Sequence, residues 1–144
     1  MFISKLDSKS KLIIIIESLG MLIGTSTNLR WIIQNGFLPQ NYKAPFKSML
    51  FWDSLIFLDS IALILLILKP KIGLWLTAII ISLDVLHNGI FNLKNSSSNT
   101  VYSWMANNWM WIMQFVFGLF VLISFKSILK RIELKLLDLN TLTT

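Results

Sequence analysis

The stretch "FWDSLIFLDSIALILLILKPKIGLWLTAIIISLDVLHN", residues 51–88, decides the fold. Two apolar runs, each long enough to cross a bilayer, meet at the turn Lys69-Pro70-Lys71. A helix needs about 20 residues to span a hydrocarbon core, so the stretch reads as a transmembrane hairpin. Its helices are expected over about 46–68 and 72–92, with Pro45 placed to open the first. Working outward, two more apolar runs predict spans over about 11–33 and 103–125. The loops "QNGFLPQNYKAPFK" and "KNSSSNT" separate them from the hairpin and carry the Gly, Pro, Asn and Ser of connecting segments. Composition agrees: of 144 residues 55% are hydrophobic and 14% charged, against about 25% charged in a soluble domain. The expected fold class is therefore all-α: an integral membrane four-transmembrane-helix bundle forming a single domain, 1–144.

Basic residues set the orientation. Nine of them (Lys5, Lys9, Lys11, Lys69, Lys71, Lys126, Lys130, Arg131 and Lys135) fall on the side of the termini and the tight turn. Four (Arg30, Lys43, Lys47 and Lys94) fall on the other. The positive-inside rule then puts both termini in the cytoplasm, and Trp31, Trp52, Trp104 and Trp109 cluster toward the outer ends as an aromatic belt. The tail 126–144 spaces Ile128, Leu129, Ile132, Leu136 and Leu139 as a short amphipathic C-terminal helix. It is expected as a cytoplasmic extension of the fourth helix lying on the membrane surface, with docking to a partner chain as the alternative. The N-terminal run resembles a signal peptide in outline, but Glu17 interrupts it, and a retained helix is expected. A net charge of +6 without a basic, aromatic-interleaved face excludes nucleic acid and leaves the lipid bilayer as partner. The absence of cysteine excludes disulfides, thiol chemistry and thiolate metal sites.

Polar residues inside lipid are costly, at least about 2.5 kcal/mol for a charge at mid-bilayer, and mark function by default. Asp84, His87 and Asn88 share one helix face by their spacing. Across the hairpin, residues whose numbers sum to about 140 lie level, which sets Asp53 beside the height of His87 and Asp59 deeper. Asn28 and Arg30 join them from the first span, with Arg30 either snorkelling or pairing with Asp53. From the fourth come Asn107, Trp111, Gln114 and Gly118, on one stripe. The inner half offers only Glu17, Ser82 and Ser124, so polarity concentrates outward. With a single histidine and no nucleophile elbow, neither a metal centre nor a serine triad is supported, and no cofactor is implied. A histidine beside carboxylates suits acid–base chemistry. The candidate catalytic residues are His87, Asp84 and Asp53, and the candidate ligand-binding residues are Asp59, Asn88, Trp52, Trp111, Gln114 and Arg30.

The hairpin motifs (Phe51-Trp52 with Leu55, Leu58-Asp59, the Lys-Pro-Lys turn, and Asp84-Val85 with His87-Asn88) resemble a pattern in small uncharacterised bacterial four-helix membrane proteins. There Ser60 is replaced by proline. The resemblance covers about a quarter of the chain and implies a bacterial cytoplasmic (inner) membrane location, with no activity attached. In architecture alone, four helices with embedded acids and a histidine are similar to the sterol-isomerase and sigma-2-receptor superfamily, which holds an amine or carbocation in an acidic cavity. The small multidrug resistance transporters also carry a glutamate in their first helix, but Gly24-Thr25 lies too far along for their motif. Three functions stand open. One is a site for a small apolar or amphiphilic ligand in the outward half, with or without a reaction. The others are a non-catalytic partner of another membrane protein (accessory, assembly or immunity-type) and a proton-coupled transporter working as a homo-oligomer.

Overall fold

The structure, a computed structural model, describes residues 6–39, 44–95 and 100–141, except the side chains of 136 and 138–141. Lys5, Lys43, most of the "KNSSSNT" loop and the side chains of Leu136 and Leu139 thus lie outside the described residues. Five helices follow in order: α1 (Ser8–Asn35), α2 (Phe46–Leu68), α3 (Pro70–Asn95), α4 (Val101–Asn107) and α5 (Trp109–Thr141). Four of them, all but α4, are long and apolar enough to cross a membrane. Large apolar side chains point outward on each, as Ile23, Phe57, Leu86 and Ile123 do, the last 79% exposed. Such an outer surface suits lipid and would be untenable in water.

The hairpin turn is tighter than its sequence implied. Pro70 is already the first residue of α3, where its missing N–H costs nothing. Lys69 alone links the helices, its N–H closing back on the Leu65 carbonyl at 2.8 Å. One turn on, Gly73 sits directly against the backbone of Leu65 and Leu66, and a Cβ there would collide with it. That contact brings α2 and α3 as close as two backbones allow and fixes their register.

α1, α2, α3 and α5 pack in ring order, each on the next, and α5 returns to α1. The main apolar core lies toward the end that holds the hairpin turn: Leu6, Ile14, Met21, Leu66, Leu74, Ile128 and Ile132 form one cluster with Leu55, Ala62 and Ile80. Two departures from expectation concern the fourth span. It is not one helix over 103–125: Asn108, at φ −116° and ψ 20°, divides it. Thr100 and Ser103 close a capping box on α4, and the Asn108 side chain bonds the Trp104 carbonyl at 2.8 Å, competing with the helical ladder. The tail does continue the fourth span, since α5 runs through it unbroken, but it does not lie on a surface: Ile128 and Ile132 are fully buried in the bundle core.

Two ion pairs hold this end of the bundle, Lys71–Glu133 at 2.7 Å and Arg131–Asp7 at 2.8 Å. All four side chains are nearly half exposed, so each pair contributes about 0–1 kcal/mol and serves chiefly to set register. Asp7 also caps α1: the Ser10 hydroxyl donates to it at 2.5 Å and, with Arg131, holds its carboxyl below the usual range. Replacing Gly73 by leucine should prise the hairpin apart. Thermal denaturation in detergent is expected to show a loss of about 3 kcal/mol or more, while Ile72→Leu on the exposed neighbour leaves the midpoint unchanged.

Candidate functional site

Above the hairpin turn the register runs as the sequence predicts, so Trp52 and Asn88, whose numbers sum to 140, meet across the α2–α3 seam. The Trp52 indole N–H donates to Asn88 Oδ1 at 2.6 Å. The Asn88 amide in turn donates to Asp84 Oδ1 at 2.7 Å and to Gln114 Oε1 at 3.2 Å. One asparagine thus ties α2, α3 and α5 at one level. Trp111 lies across α3 beside it, donating to the Val85 carbonyl at 3.0 Å. Gly89 makes room for that indole, since a Cβ there would come within 3.2 Å of it. Trp104 and Phe115 continue the aromatic packing around Trp111, each with ring centroids 5.7 Å from it.

Asp59 and Asp84 form the acidic heart of this layer. Both are buried, at 6% and 7% exposure, and the Asp84 carboxyl lies close enough to act on Asp59 electrostatically. Asp59 lies against α1, where Gly24 leaves the space: a Cβ at that position would stand 2.6 Å from Asp59 Oδ2. Asn28, one turn further along α1, donates to the same oxygen at a long 3.5 Å. Asn28 joins the layer as its position in the first span implied, whereas the part played by Gly24 was not expected. Their i, i+4 spacing put them on one face, but nothing in α1 fixed which helix that face meets.

The structure separates the other candidates. Asp53 is buried toward the N-terminal end of α2 and accepts the Leu38 backbone N–H at 2.7 Å, fastening a loop whose Leu38 has φ +50°. It makes no ion pair with Arg30, which is exposed. His87 packs its ring on Phe51, centroids 4.5 Å apart, and against the edge of Trp52 at 5.6 Å. Phe91 completes that wall, 4.9 Å from Trp52. The imidazole Nε2 is buried and without a hydrogen-bond partner, and no bond joins His87 to Asp53 or Asp84. Asn107 sits on α4, across the Asn108 break from Trp111 and Gln114, and is exposed.

No family model, curated protein or solved structure matches the chain. Its chemistry must therefore be read from the groups themselves. Asp59, Asp84, Asn28, Asn88 and Gln114 offer carboxyl and amide oxygens from all four long helices. Among the described residues no group of three or more His, Asp or Glu is placed to hold a metal ion. The layer is a set of acceptors without a buried base or cation: every described Lys and Arg is exposed or half-buried.

Asn88→Leu would strand the Trp52 N–H and relieve Asp84 and Gln114 of their donor. The expected loss is about 1–3 kcal/mol by thermal denaturation in detergent. Trp52→Phe removes one donor only and should cost less, about 0.6–2 kcal/mol, in the range of single hydrogen bonds between membrane helices.

Proposed function

We propose that this protein binds a small amphiphilic molecule through a cationic or strongly donating head group, held by Asp59 and Asp84 in the outward half of the bundle. One observation carries the reading: two buried carboxyls share a layer of the bundle, and no buried basic side chain among the described residues offsets them. In a low-dielectric interior such a pair demands protons or a bound cation. Asp59 Oδ1 and Asp84 Oδ2 take no hydrogen bond among the described residues, which leaves each an acceptor for a ligand. Asn28, Asn88 and Gln114 supply neutral oxygens and amides beside them, and Trp52, Trp111, Phe51, Phe91 and His87 supply apolar walls. Bundle sites typically join apolar walls to a few such polar groups.

Entry from the membrane fits the helix contacts. The close contacts of α1 with α5, Asp7–Arg131, Glu17–Ser124 and Gly20–Phe117, all fall in the inner part of the bundle. In the outer part Leu29 and Ile33 of α1, and Met110 and Met113 of α5, are turned outward. A lipid-soluble chain would reach the acidic layer along that seam. His87 stands in the wall and Asp53 holds a loop, so this reading asks no proton transfer of either.

The test is thermal stability of the purified protein with a long-chain primary amine, compared with the alcohol of the same chain. The amine should raise the midpoint, by the equivalent of about 2.7 kcal/mol at a hundredfold excess over Kd. Asp59→Asn and Asp84→Asn should each weaken that shift while still folding. An equal shift with the alcohol, or full shifts in both variants, would overturn the reading.

The setting we propose is a bacterial cytoplasmic membrane with both termini inside, supported by the basic residues at the inner end. Because the chain has no cysteine, single substitutions report cleanly. Thr100→Cys should react with an impermeant maleimide in intact cells, and Lys130→Cys only after permeabilisation. The reverse pattern would invert the topology.

A further inference from the structure

The outward site leaves one acid unexplained. Glu17 is the most deeply enclosed ionisable group among the described residues, at 0% exposure, in the inner half of the bundle and apart from Asp59 and Asp84. Its Oε1 lies 3.3 Å from Ser124 Oγ on α5, and its Oε2 has no partner at all. Ile14 and Met21, one turn to either side on α1, are buried and apolar, and so is Val121 on α5. No other titratable side chain acts on it.

The hydrogen bonds around Ser124 show what this carboxyl holds. A serine hydroxyl has one hydrogen to give and lone pairs to receive with. Ser124 Oγ stands 2.8 Å from the Phe120 carbonyl, 3.1 Å from the Val121 carbonyl and 3.3 Å from Glu17 Oε1. Its hydrogen belongs to the nearest acceptor, the Phe120 carbonyl of its own helix, as Ser60 and Ser82 also give theirs to the carbonyl four residues back. The contact to Glu17 then joins two oxygens with no hydrogen between them. A carboxylate there would face a lone pair. A carboxylic acid supplies the missing hydrogen, donating from Oε1 to Ser124 Oγ.

We propose that Glu17 is a proton-binding site: the carboxylic acid donates to Ser124 Oγ, and Ser124 donates its own hydrogen to the Phe120 carbonyl. The bound species is a proton rather than a metal ion, because among the described residues no second carboxylate or imidazole joins Glu17 to complete a ligand set. The site is independent of the outward acids and stands whether or not these bind an amine.

Infrared difference spectroscopy of the purified protein tests it. Wild type minus Glu17→Gln should show a carboxylic-acid carbonyl band, and Ser124→Ala should shift that band by removing the acceptor of the O–H. Should Glu17→Gln not fold, Ser124→Ala alone decides: a carbonyl band that moves supports the site, and an unmoved one overturns it. Carboxylate bands in place of the acid would overturn the proposal. So would a sodium-dependent rise in thermal midpoint, against choline, that Glu17→Gln abolishes, since the site would then hold a metal cation.

Discussion

The approach of α2 and α3 at Gly73 is the constraint on which the rest of the bundle depends. With one residue between the helices and no side chain at Gly73, neither helix can slide on the other without backbone collision. Everything above inherits that register. It sets Trp52 opposite Asn88 rather than a turn away, and so lets one asparagine reach α2 and α5 together. Below it, Lys71 finds Glu133 and the end of α5 is drawn into the core.

The two halves of the bundle are built by different chemistry. The half that holds the hairpin turn is closed mainly by apolar packing, with Ile128, Ile132, Leu66 and Leu74 filling the space between helices. The opposite half is joined by amides and indoles, which are directional and leave oxygens over. Hydrogen bonds between apolar helices are individually weak, so that half trades packing for chemistry. That division explains why the acids the bundle tolerates differ in setting. Asp53 is answered by a loop N–H, Asp59 and Asp84 by amides, and Glu17 by a single hydroxyl.

Much of this was legible in the sequence, for a plain reason. Lipid demands long apolar runs, and the four spans follow from length and composition alone, α2 to the residue. Counting through Lys69-Pro70-Lys71 gave correct heights, because rise per residue is a property of the backbone. Helix rotation is not. Asp53 and His87 are level, as counted, but Asp53 turns to Leu38 and His87 to Phe51, and a height count cannot tell the two outcomes apart. The tail was misjudged because its amphipathic spacing suits a membrane surface and a protein core equally well. Only α1 and α3, with Leu6, Ile14 and Leu74 ready to receive Ile128 and Ile132, decide between them.

The pairing of Glu17 with Ser124 spans almost the whole chain, 107 residues apart in sequence. A ribosome delivers α1 first and α5 last. During that interval α1 can already pack on α2, but its acid lacks the hydroxyl that later meets it. Asp7 waits equally long for Arg131. The core around Ile128 and Ile132 likewise stays open until α5 arrives.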